Sequence, residues 1–301
     1  MGTNTLRETG STVEPNIGDW RQVGTVGLGL LLPWLFLVAL VVAAYGGTLL
    51  ELAKDWWNDP NAAHGLLVPP LVACIAWQRR GLILAIPAKP DLKGLAVTFG
   101  ACAFLIIGKL GAEFFLSRIS FVLLLAGMVY TFWGVKRLRA LSFPFVLLST
   151  MVPLPVLVYN SATLPLQLFA SNVAAAVAQT LGVSVYQEGN VIQLANTTLG
   201  VAEACSGLRS LSALVVMALL VGSLQFRRLS TRVLLFLLAF PISVFVNVVR
   251  VSGTAVMADY DSRLAMGFYH MFSGWLVFLA GIVLVLASAK LLHLTLERNR
   301  P

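Results

Sequence analysis

Residues 203–224 read EACSGLRSLSALVVMALLVGSL, a polar turn that runs straight into an apolar stretch. From Leu208 to Leu224 the only charge is Arg209. A run of this length falls within the ~17–25 apolar residues that carry a helix across a hydrocarbon core of about 30 Å. The stretch closes on Arg227 and Arg228, with Arg232 beyond. Its polar turn and its basic end therefore lie on opposite sides of one crossing.

The rest of the chain repeats that pattern. Of its 301 residues 58% are hydrophobic and 11% charged, against roughly 25% charged in ordinary soluble domains. Further apolar stretches cover about Gly24–Tyr45, His64–Trp77, Gly94–Gly111, Ile119–Trp133, Ala140–Tyr159, Val233–Val251 and Met271–Leu292. With Leu208–Leu224 they make eight. The expected fold class is an all-α polytopic membrane protein of about eight transmembrane helices. Tryptophans beside charges, as at Lys54-Asp55-Trp56-Trp57, suit an interfacial belt. The fifth stretch holds Pro144, Pro153 and Pro155 and is expected to kink.

Residues 1–23 are polar and are expected to form a disordered cytoplasmic tail. Residues 24–297 are read as a single transmembrane domain, and 298–301 as a second cytoplasmic tail. Within the domain, residues 160–207 form an extracytoplasmic insert. Its first part, Ser161–Leu181, mixes alanines with Gln167, Ser171, Asn172 and Gln179, as an amphipathic helix on or over the bundle does. Its second part alternates β-branched and polar residues around Glu188-Gly189-Asn190, the signal of a β-hairpin. Unpaired strand edges are not tolerated in lipid, so the hairpin stands in water.

The net charge of +8 comes from clusters at 79–80, 136–139, 227–232 and 298–300, between apolar spans. This is the pattern of positive-inside loops and points away from a nucleic-acid partner. If the first span runs from inside to outside, all four clusters fall on the cytoplasmic side. Cys205, Arg250 and His270 then all fall on the outer side.

Cys205 is the best nucleophile. A free thiol has a pKa near 8.5, and only a few per cent is thiolate at pH 7. The head of a helix favours the anion, and Arg209 stands one turn on. Glu203 opens the same polar turn. The plainer reading is a small residue at a helix start. Arg250 ends an otherwise apolar span, where a charge near the centre costs roughly 2.5–3.5 kcal/mol. A snorkelling anchor would explain it, but Asn247 lies one turn back on the same face. His270 opens the last span and can take a proton near neutral pH; interfacial histidines are more often structural. His64 is the rival base, and His293 falls on the cytoplasmic side. The chain has no Walker motif, HExxH or GxSxG. Its three cysteines, Cys74, Cys102 and Cys205, form no CxxC pattern. No metal and no organic cofactor is expected.

At these residues the sequence resembles the exosortase/archaeosortase family of membrane cysteine enzymes. The matching pieces are EACSGLRSL (203–211), NVVRV (247–251), the histidine of YHMFSGWLVF (269–278) and AHGLLVPPLVACIAWQRR (63–80). The resemblance implies a transpeptidase or protease in a bacterial inner membrane, working at the extracytoplasmic face. Its partners would be C-terminal sorting signals of secreted proteins: a short motif such as Pro-Glu-Pro, a transmembrane helix and a basic cluster. Cys205 would be the nucleophile, Arg250 the oxyanion donor, and His270 base and then acid. Arg209, Asn247, Glu203 and His64 would support them. The acceptor of the acyl group is left unknown, water included, and membrane lipid surrounds the whole. The resemblance also implies that the periplasmic domain fused to some relatives is absent. The rival reading is a transporter or a membrane subunit of polysaccharide export; Pro-broken spans favour it. The gathering of polar residues at one interface speaks against it.

Overall fold

In hydrocarbon a backbone finds no water to bond, so each apolar stretch satisfies its own N–H and C=O groups as a helix. The structure is a computed structural model and describes residues 19–195, 197–200, 208–261, 263 and 267–297. The helices are α1 (Asp19–Asn58), α2 (Val68–Gln78), α3 (Arg80–Ala85), α4 (Lys93–Leu110), α5 (Phe114–Trp133), α6 (Val135–Ala140), α7 (Ser142–Ser149), α8 (Val156–Thr180), α9 (Leu208–Gln225), α10 (Leu229–Tyr260) and α11 (Gly267–Leu292). A three-stranded antiparallel sheet, β1 (Val185–Glu188), β2 (Val191–Leu194) and β3 (Thr198–Gly200), separates α8 from α9.

By packing the chain divides into residues 1–49 and 50–301. In the first unit α1 runs unbroken through Pro33. The helix includes residues 19–23, ahead of the expected start of the first span. Residues 1–18 and 298–301, the bulk of the two expected tails, lie outside the described residues.

The second unit holds three cores. Leu52, Val68, Ile75, Val122, Leu147, Leu148, Met151 and Val152 join the end of α1 to α2, α5 and α7. Leu214, Ala218 and Val221 of α9 pack with Leu235 and Ala239 of α10 and with Val285, Ala289 and Leu292 of α11. Ala170 and Ala174 of α8, Ile192 and Leu194 of β2, and Val251 and Ala258 of α10 form the third. The sheet is thus seated on the far end of α10.

Helices α4 and α5 form a hairpin whose backbones nearly touch. A Cβ on Gly108 would stand 2.6 Å from the Ser117 nitrogen, and one on Gly127 2.6 Å from Thr98 Oγ1. Small residues at such crossings let membrane helices pack closely. The side chain of Glu113 caps α5 by accepting from the Phe115 N–H at 3.2 Å.

Six helices among the described residues are long and apolar enough to cross a membrane: those within α1, α4, α5, α8, α10 and α11. Two shorter apolar helices, Ala63–Gln78 and Arg209–Gln225, bring in the second and sixth expected spans. The expected fifth span, Ala140–Tyr159, is not one helix. It is α7, an irregular link, and the start of α8. Pro153 and Pro155 lack the N–H that would continue the ladder, and Pro155 caps α8 instead. The expected amphipathic helix at 161–181 is the greater part of α8, which begins at Val156, before the expected insert. The expected hairpin is present with Gly189 at φ 62° in its two-residue turn, but it continues into a third strand.

Candidate active site

Helix α10 runs antiparallel to α9 and α11, because a link of three residues reverses the chain between Gln225 and Leu229. The head of α9, the far end of α10 and the head of α11 therefore share one end of this group. At the opposite end His293 stacks on Phe226 with ring centroids 6.5 Å apart, so it stands far from Arg250.

One face of α10 carries Ser243, Asn247, Arg250 and Thr254, at spacings of three and four. Asn247 is 4% exposed and Ser243 1%. Ser210, in the first turn of α9, and Ser243 share a hydrogen bond at 3.3 Å between their hydroxyls. Seven residues further along α10, about 10 Å of rise, stands Arg250. Its Nη1 lies 3.7 Å from where a Cβ on Gly274 of α11 would be. That is ordinary van der Waals distance, so the guanidinium lies alongside α11 at this position. His270 falls one turn before Gly274 along α11, and its side chain lies outside the described residues. So do Glu203 and Cys205, the latter three residues ahead of α9.

Arg209 points away from Ser210. Its Nε donates to Asn61 Oδ1 at 3.1 Å, joining the head of α9 to the turn between α1 and α2. His64 lies in that turn, with Nε2 3.1 Å from the Thr150 carbonyl. Since a carbonyl only accepts, Nε2 carries the proton. Close by, Trp56 Nε1 donates to the Met151 carbonyl at 2.9 Å. A side chain on Gly65 would collide with the Trp56 indole, so the turn is packed tightly.

The structure thus brings Arg209 to the His64 turn and Arg250 to α11 beside Gly274; Asn247 is buried one turn before Arg250 on the same face of α10. Asn61, Ser210, Ser243 and Gly274 were not singled out from sequence. Ser243 alone had a local signal, lying one turn before Asn247; the partners of the others are set by tertiary packing. A hollow of about 660 Å³ lies between the end of α8 and the sheet, lined by Gln179, Tyr186 and Gln193 among others. None of the candidate residues lines it. Among the described residues no group of three His, Cys, Asp or Glu could hold a metal.

Residues 56–287 match the family model described as Transmembrane exosortase (Exosortase_EpsH). The matched range encloses every candidate residue. No curated protein and no solved structure matches the chain.

Proposed function

The chain belongs to the transmembrane exosortase family, and from that premise we propose that it processes secreted proteins at a C-terminal sorting signal by cysteine acyl transfer. The observation that carries this reading is the meeting of α9, α10 and α11 at one end, with Arg250 held against α11 beside Gly274.

Helix lengths support an active site at the membrane boundary. Twenty residues of helix span about 30 Å. Counted from Leu229 that reaches Val248 on α10; counted back from Leu292 it reaches Ser273 on α11. Helix α9 begins at Leu208. Cys205, Arg250 and His270 each fall two or three residues beyond those marks. With the basic clusters inside, that boundary is the outer one, in a bacterial inner membrane. On this reading α8, although long and apolar enough to cross, lies beside the projecting end of α10, and the eight residues of α7 cover only part of a fifth crossing.

In the chemistry, Cys205 as thiolate attacks the carbonyl carbon of the scissile peptide. The oxyanion that forms takes hydrogen bonds from Arg250, an effect of about 3–4 kcal/mol per donor. The C–N bond breaks, the amine takes a proton from His270, and a thioester to Cys205 remains. An acceptor amine or water, losing its proton to His270, attacks the thioester and frees the thiol. Ser243, bonded to Ser210, holds the α10 face in register with α9. Arg209, Asn61 and His64 fix the turn beside the head of α9.

The test is the size of a tagged secreted reporter bearing a Pro-Glu-Pro sorting tail, co-expressed with the chain. Wild type shortens it. Cys205→Ala abolishes shortening, and Arg250→Gln cuts the rate by about 10²-fold or more. Full activity of Cys205→Ala would end the cysteine mechanism.

A further inference from the structure

The sheet has two edges, and they differ. Antiparallel residue pairs alternate between those that exchange N–H···O=C bonds and those whose polar groups face away. Around the two-residue turn of β1 and β2, Glu188↔Val191 and Tyr186↔Gln193 are bonded pairs, and Val185 faces outward. Helix α8 covers that edge, where Gln179 Nε2 donates to the Val185 carbonyl at 3.2 Å. Gln187, the other outward residue of β1, turns its side chain back to Asn172 Oδ1 at 2.6 Å.

On the other side, the Leu194 N–H donates to the Thr197 carbonyl at 2.8 Å. The next bonded pair is Ile192↔Leu199. Thr198 and Gly200 therefore aim their backbone N–H and C=O groups away from β2. No strand pairs with them among the described residues. Both residues are exposed, and a Cβ on Gly200 would meet nothing within 4 Å. The chemical complement of two donors and two acceptors at strand spacing is an extended main chain. Four residues separate Gly200 from Cys205, five steps that span at most about 18 Å of chain.

We infer that the outer edge of β3 binds an extended segment of the protein substrate as a fourth strand, and so delivers the scissile peptide to Cys205. The inference rests on the cysteine reading above for the identity of the substrate. The main-chain bonds hold the segment, and its side chains lie beside Thr198, at the β3 end of the row that runs back through Gln193 to Tyr186 on β1.

The experiment uses the full chain in membranes and a reporter that wild type shortens. Thr198→Pro and Gly200→Pro each delete one outward N–H and leave the bonds to β2 in place. Each is expected to slow shortening by about five- to tenfold, the effect of one lost hydrogen bond. Thr198→Ala, which keeps the N–H, stays within twofold. Rates of Thr198→Pro within twofold of wild type, or an equal loss in Thr198→Ala, would overturn the inference. A photo-crosslinking p-benzoylphenylalanine at position 198 or at Tyr186, in the Cys205→Ala chain, guards against misfolded proline variants. Capture of the reporter's sorting motif from 198 and not from 186 supports the β3 edge. Capture from 186 alone, or from neither, overturns it. Shortening that persists in Cys205→Ala removes the cysteine mechanism instead, while the crosslinks still judge the edge.

Discussion

His64 sits in a tightly packed turn, its Nε2 3.1 Å from the Thr150 carbonyl. Thermal unfolding of the detergent-solubilised protein checks what that bond contributes. His64→Ala is expected to lower the melting temperature more than His64→Gln, whose amide can still donate to Thr150; equal losses would refute the role of the bond. The same residue shows what sequence can convey at this scale. Cys205, Arg250 and His270 stand out because charges and titratable groups are scarce in apolar spans and each lies at a span's end. The partner of Arg209 is Asn61, and nothing local to either residue announces a bond between positions so far apart in the chain.

At the level of elements, the α4–α5 hairpin depends on glycines that face a neighbouring backbone. Gly108 lies against the Ser117 nitrogen, whereas a Cβ on Gly100, in the same helix, would meet nothing within 4 Å. Gly108→Ala must push the helices apart, at a cost of about 1–3 kcal/mol. Gly100→Ala adds helix propensity of about 1 kcal/mol with no clash. The first variant is expected to melt below wild type and the second at or above it; matching shifts of one sign would show that the crossing is looser. Apolar length made α4, α10 and α11 legible, since no other residue pattern fits a bilayer. The fifth span misled because composition cannot distinguish a kinked helix from a broken one, and Pro153 with Pro155 broke it. Strand β3 was missed because three residues hold too little alternation to register.

For the whole molecule, the decisive quantity is the length of α10. Its 32 residues rise about 48 Å, well beyond a core of about 30 Å. If Arg227 and Arg228 lie at the inner surface, as proposed, its last dozen residues project outward with the third core, which seats α8 and the sheet. Single cysteines in a chain free of native ones test that arrangement. Tyr186 is 64% exposed and Tyr260 91%, and Lys136, in the cluster after α5, is also exposed. Cysteines at 186 and 260 are expected to react with a membrane-impermeant maleimide on intact spheroplasts, and one at 136 only after permeabilisation. If 136 reacts first, the polarity is reversed and the site faces the cytoplasm, where a secreted tail would have to be met before export. If 186 and 260 fall on opposite sides, only one of α9 and α10 crosses the membrane, and the sheet cannot deliver a peptide to the end of α10 that carries Arg250.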